Sequence, residues 1–231
     1  MTKNYDKVAV FSKGLLGAIP IVGPLMAEVV GSVIPNQRID RIEAFLKILE
    51  SKVEEQQKEK FKANFANPEN VDLIEDSFIQ ASRALSDERK HYVAALLKNS
   101  LINSDIEYIE GKRLISILSN LNDIEILMLK AHENNTYDGN NDFWERHKEV
   151  LQGPAVSLGS SEGELDKHAI FETHKRNLTN LGLLKPRFKT LRKGEVPEFD
   201  WKTGMMKSQG YQVTLLGRLL LKRLDINEKE N

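Results

Sequence analysis

Apolar residues recur at a spacing of three to four along most of this chain, and each run is punctuated by a short polar or proline break. A period near 3.6 permits a helix with one buried stripe and excludes a half-buried strand. Ile39, Ile42, Phe45, Leu46, Leu49 and Val53 make one such stripe. It predicts a long helix from Gln37 to Ala66 capped by Asn36, solvated on all sides across Glu54–Lys60 (EEQQKEK). Asn67-Pro68 breaks the chain, and a second helix is expected from Glu69 to Leu85 on Val71, Ile74, Phe78, Ile79 and Ala81. Ser86-Asp87-Glu88 reads as the cap of a third, with Tyr92, Val93, Leu96, Leu97 and Leu101. Ser104-Asp105 opens a fourth, with Ile106, Ile109, Leu114, Ile117 and Leu118. Short connections between amphipathic helices predict antiparallel neighbours.

The second half changes character. Asn122-Asp123 caps a helix holding Ile124, Leu127, Met128 and Leu129; a turn over 134–141 leads to a short helix with Phe143, Trp144 and Val150. Residues 153–163 read as a Gly/Ser loop. A helix is expected from Leu165 to Leu181, stopped by Gly182. Two β-like pieces follow, 183–191 and 211–213, separated by a Lys/Gly-rich stretch. Thr214 then caps a last helix, Leu215–Leu224, in which Gly217 allows close packing. The predicted fold class is mainly α: an apolar segment over 1–35, a helical domain over 36–121, and a unit with a small β-hairpin over 122–231.

The segments NLTNLGLLKPR and GYQVTLLGRLLLKRL resemble the ending of many bacterial winged-helix domains, over residues 122–224. The resemblance implies a fold and no particular function. As a DNA binder the chain offers Lys167, His168, His174, Lys175, Arg176, Asn177 and Asn180 on its reading helix. Lys185, Arg187, Lys189, Arg192 and Lys193 lie on the wing. From Lys185 to Arg223 ten Lys/Arg stand against Glu195, Glu198 and Asp200, a basic patch suited to phosphates. Against this, Glu162, Glu164, Asp166 and Glu172 put negative charge where bases would be read. Lys175, Arg176, Lys185, Arg187, Lys189, Arg192 and Lys193 are therefore candidates for binding either a partner or nucleic acid, with DNA not favoured.

Nothing in the chain spells catalysis. No HExxH, GxGxxG or GxxxxGK[ST] pattern occurs, and the histidines His91, His132, His147, His168 and His174 fall at no ligand spacing. The absence of cysteine removes thiol chemistry, disulfides and cysteine-ligated zinc. The expectation is no enzyme, no cofactor and no metal. With 33 Lys+Arg against 34 Asp+Glu the net charge is −1, so the whole molecule is not a polyanion binder.

Gly14–Pro35, GLLGAIPIVGPLMAEVVGSVIP, is nearly all apolar or small, with Glu28 its one charge. Pro20, Pro24, Gly17 and Gly23 interrupt it, and no small-residue cleavage site follows, which argues against a secretory signal. It has the length of a membrane span, but Glu28 at the bilayer centre would cost about 2.5–3.5 kcal/mol. A short helix is expected over 24–34. Two readings stay open: a buried helical hairpin, or a segment that inserts into lipid on demand.

GLLGAIPIVGPL resembles the glycine-rich stretches of fusion and membrane-lytic peptides. Taken with IPNQRIDRIEAFLKILE, the helical domain and the terminal winged helix, the chain resembles small bacterial antiviral proteins of the abortive-infection type, including a ring-activated pore-forming class. The resemblance implies a dormant cytoplasmic protein, a ring-forming phage protein as trigger, homo-oligomerisation and permeabilisation of the inner membrane. The inserting residues would be Leu15, Leu16, Ile19, Ile21, Val22, Leu25, Met26, Val29, Val30, Val33 and Ile34. The rivals are a winged-helix transcription regulator with a helical dimerisation domain, and a non-catalytic protein-binding adaptor.

Overall fold

The protein is described by a computed structural model over residues 38–102, 108–133, 142–157, 159–201 and 204–226. The apolar segment, Asn36, and the caps and turns expected over 103–107 and 134–141 lie outside these residues. The described chain is mainly helical, with one two-stranded antiparallel sheet near its C-terminal end. It divides into two compact units, one of residues 38–120 with 222–226 and the other of residues 121–221.

In the first unit, α1 (Ile39–Lys52), α2 (Lys58–Phe65), α3 (Val71–Arg83) and α5 (Tyr108–Ser119) surround α4 (Asp87–Ile102). The central place of α4 follows from its sequence. Ala94-Ala95-Leu96-Leu97 is fully buried over a complete turn, and a helix apolar on all sides must be enclosed. Ser86 Oγ accepts the Arg89 N–H at 3.1 Å, which caps α4 as expected. Phe45 meets Phe78 edge-on, with ring centroids 5.3 Å apart, at the heart of the core. Long polar side chains close the helix ends. Arg41 donates to Ser82 O (3.1 Å), Asn64 to Leu101 O (2.7 Å) and Arg89 to Leu118 O, so carbonyls without an intrahelical donor find one. Within the same unit Asn99 donates to Arg223 O (2.9 Å) and to the Asp225 carboxylate (3.0 Å).

The single helix expected over 37–66 is two. Val53 and Glu54 are extended, and Glu54 opens a 3-10 turn, Glu55–Gln57, through a reciprocal capping box with Gln57. The break has a packing reason. Val53, Phe61 and Phe65 are all buried, and one straight helix would have carried the last two around to solvent. The stretch read as polar all round thus leads into an aromatic pair, Phe61 and Phe65, with centroids 5.6 Å apart.

In the second unit α6 (Asp123–Glu133) packs against α7 (Asp142–Leu151), α8 (Glu162–Asn180) and β2 (Ser208–Val213), while β1 (Leu184–Phe188) lies along α8 and pairs with β2. The last helix, α9, is Leu215–Arg223. Gly182 has φ +72°, and Gly182 N–H and Leu183 N–H return to Thr179 O (3.0 Å) and Leu178 O (2.9 Å), the Schellman ending that a glycine there permits. Thr214 does two jobs. Its hydroxyl accepts the Gly217 N–H at 3.0 Å, capping α9, and donates to Gly182 O at 2.7 Å, tying the start of α9 to the end of α8. Gly217 packs α9 tightly on Leu183, the residue before β1: a Cβ there would sit 2.5 Å from Leu183 O.

Candidate docking surface on the second unit

The residues proposed for partner or nucleic-acid binding all fall on α8 and the β1–β2 hairpin. The start of α8 is set by Ser161, which exchanges hydrogen bonds with Glu164 in a capping box, so the helix begins at Glu162, three residues earlier than expected. The bonds from Ser161 hold the Glu164 carboxyl below its ordinary range. The preceding loop lies along the helix. Gly153 passes so near the Phe171 ring that a Cβ would meet it at 2.5 Å, and His168 Nδ1 is 3.2 Å from Pro154 O.

Two polar side chains expected on a DNA-reading face are turned inward. Glu125 of α6 is only 4% exposed, and its carboxylate is the hub of a polar cluster. Oε2 accepts the Asn122 N–H (2.9 Å) in a capping box with Asn122 Oδ1, which takes the Glu125 N–H at 2.9 Å. Asn177 donates to both carboxylate oxygens at 3.0 and 3.1 Å. His174 Nδ1 lies 3.2 Å from Oε1 and 3.3 Å from the Asn122 amide, and with its proton on Nδ1 it bonds the carboxylate. A buried carboxylate is retained only with such a set of donors. Lys175 is engaged as well: its ammonium is 3.0 Å from Glu172 and 5.0 Å from the centroid of the Phe171 ring.

What α8 shows to solvent is different in kind. Leu165 (49% exposed) and Ile170 (62%) stand out, with Lys167, Ala169, Thr173, Arg176 and Asn180 also exposed. Glu162, Glu164 and Asp166 crowd its N-terminal turns. The N-terminal half of this face offers apolar contact and a net negative charge, and the two exposed cations, Lys167 and Arg176, are spread along the helix.

The hairpin carries the cations. Leu184 to Arg187 pair with Val213 to Gly210, the register slips at Phe188, and the two arms close again through Phe199 opposite Met206. Lys207 N–H donates to Glu198 O and Asp200 N–H to Met205 O, both at 2.8 Å, which brings Trp201 to the turn. Lys189 pairs with Glu195, whose carboxylate also takes the Arg192 N–H at 2.9 Å; these bonds hold the Glu195 carboxyl below its ordinary range. Lys207 lies 3.6 Å from Glu198. Lys185, Arg187, Arg192 and Lys193 are exposed and join no ion pair among the described residues. Shallow grooves of about 710 and 600 Å³ run beside Arg187, one lined by Lys185, Phe188 and Gln212, the other by Leu191, Val196 and Met206.

Between these cations stand apolar side chains that the sequence reading passed over as part of a Lys/Gly-rich stretch. Trp201 is 88% exposed and Val196 79%; Phe199 and Met205 are exposed as well. Their signal in the sequence is weak, since they follow no period.

Among the described residues no group of three or more His, Asp or Glu side chains could hold a metal ion. His132 is half-buried near Tyr211, and desolvation pushes its pKa down to about 4, so its imidazole is neutral at ordinary pH. No described helix is long and apolar enough to cross a membrane, and the inserting set Leu15 to Ile34 lies outside the described residues. Compared with protein-family profiles, curated proteins and solved structures, the chain matches none.

Proposed function

We propose that this chain is a non-catalytic effector of bacterial antiviral defence. In this reading it rests as a soluble cytoplasmic protein, and a ring-forming phage protein docks on the second unit and gathers copies. The apolar residues from Leu15 to Ile34 then permeabilise the inner membrane together. The order α6, α7, α8, hairpin, α9 supports a winged helix used for docking. The observation that carries the choice of protein over DNA is the outward face of α8. It presents Leu165 and Ile170 behind an acidic first turn, while His174 and Asn177 are committed to Glu125. A helix that reads bases needs donors and positive charge at that end, because phosphates flank the groove it enters.

Assembly supplies the switch. A trigger shifts the dormant state only by its preference for the assembled one, and a ring offering many identical sites multiplies that preference. The test is leakage of dye from vesicles with and without purified phage ring proteins. Ile170→Glu should abolish activation by the ring. Val30→Asp should abolish leakage while ring binding persists. Leakage by the Val30→Asp protein would sink the insertion reading. Salt-sensitive, sequence-specific duplex binding, lost when Lys175, Arg176 and Arg187 are neutralised, would establish the transcription-regulator alternative instead.

A further inference from the structure

We propose that the β1–β2 hairpin is itself a membrane-surface element whose tip docks on anionic phospholipid. The inference deepens the membrane reading above but does not rest on the apolar leader. Three observations meet in one small structure. The closing arms, Phe199 opposite Met206 and Asp200 bonded to Met205, place Trp201 at the turn with most of its surface in water. Val196, on the arm leading to it, is almost as exposed. Leaving such side chains in water forfeits the stabilisation that burial gives them, so a hairpin presenting several together has a reason outside its own fold.

The second observation is charge. Lys189 with Glu195 and Lys207 with Glu198 neutralise each other, which leaves Lys185, Arg187, Arg192 and Lys193 against Asp200. The hairpin is net positive although the chain is not.

The third is the kind of apolar group. Cations around an indole suit either single-stranded nucleic acid or a bilayer, since bases stack on aromatic rings. Val196 and Met205 decide between them: aliphatic side chains have no stacking face, but they gain by leaving water for the acyl boundary. Tryptophan belongs at that boundary, with its ring in the headgroup zone and lysine or arginine reaching the phosphates. Each cation brought to an anionic leaflet strengthens binding by roughly fivefold at physiological salt, and the attraction fades beyond a Debye length.

The chain has two tryptophans, Trp144 and Trp201, so in the full-length Trp144→Phe protein Trp201 emission reports on the tip alone. Phosphatidylcholine vesicles with phosphatidylglycerol should shift that emission to the blue, and brominated acyl chains should quench it. Pure phosphatidylcholine should do neither, and added salt should weaken the response. Neutralising Arg187, Arg192 and Lys193 together should weaken binding about a hundredfold. Co-sedimentation of the otherwise native Trp201→Ser protein with the same vesicles gives a second measure and should show a loss of about tenfold or more. The Val30→Asp protein should bind as the native one does, which separates the hairpin from the leader. The proposal is overturned by emission unchanged on anionic vesicles, by an equal response to neutral ones, by a shift on DNA oligonucleotides alone, or by binding that vanishes with Val30→Asp.

Discussion

Gly217 offers the sharpest test of how the second unit is built. Replacing it with alanine adds one methyl group, normally a gain of about 1 kcal/mol in a helix. Here that methyl would lie 2.5 Å from Leu183 O and 2.7 Å from Val213 Cγ1, where ordinary contacts are 3.4–4 Å. Val213 can rotate, but the carbonyl cannot retreat cheaply, because Leu183 O also accepts the Thr214 N–H at 2.9 Å. To admit the methyl, α9 must lift away from Leu129 and the hairpin base, and that hydrogen bond is lost with it. Overpacking costs about 1–3 kcal/mol and a lost hydrogen bond about 0.5–1.5. Offset by helix propensity, the net is a destabilisation of about 2 kcal/mol, or roughly 8–16 °C for a unit of this size. Trp144 and Trp201 both belong to this unit, so urea unfolding followed by tryptophan emission isolates its transition. Gly163→Ala is the internal control. It lies in α8 with nothing within 4 Å of an added Cβ and should stabilise by about 0.5–1 kcal/mol. A Gly217→Ala protein as stable as the native one would show that α9 does not seat against Leu183.

Three further outcomes follow from the same packing. Gly182→Ala must hold φ near +72° with a Cβ and should cost about 1–2 kcal/mol, read by the same unfolding curve. His132 is neutral in the fold, its pKa depressed to about 4 from 6.5, so its contribution is complete above pH 6.5 and lost as the pH falls from there to about 4. The loss reaches at most about 3 kcal/mol, should appear in urea titrations across that window, and should be missing from a His132→Leu protein. Glu125→Gln replaces an acceptor with a donor facing the Asn177 amide and should cost about 1–3 kcal/mol, with slower-protected backbone amides at the start of α6 becoming fast in hydrogen exchange.

Helix ends were legible wherever a single side chain decides them. Ser86, Gly182 and Thr214 act as their chemistry dictates, because a cap needs only its own neighbours. The break at Val53 was not legible. Phe61 and Phe65 fall off the stripe of Ile42, Phe45, Leu46 and Leu49, but phase alone does not tell an outward-facing pair from a broken helix. The deciding influence was tertiary, the burial of Phe61 and Phe65. The opening of α8 is written in the sequence as well: Ser161 followed by Glu164 is a capping box, and it prevails over the flanking glycines that suggest a loop.

The candidate surface divides in the same way. That the hairpin is cationic could be counted; that Lys189 and Lys207 are paired off and Lys185, Arg187, Arg192 and Lys193 are not depends on how the arms close. Whether a helix reads DNA depends on its rotation about its own axis, and for α8 that rotation is set by a partner forty-nine residues away, Glu125, which draws His174 inward. Once His174 and Asn177 are spent on a buried carboxylate, the N-terminal half of the outward face shows Leu165, Ala169 and Ile170 beside Glu162, Glu164 and Asp166, and the exposed Lys167, Arg176 and Asn180 do not turn that acidic end into a reading face. The same rotation that satisfies the core therefore disfavours one function and leaves another available. Ile170→Glu against Arg187→Gln separates them, because protein docking should respond to the first and phosphate binding to the second.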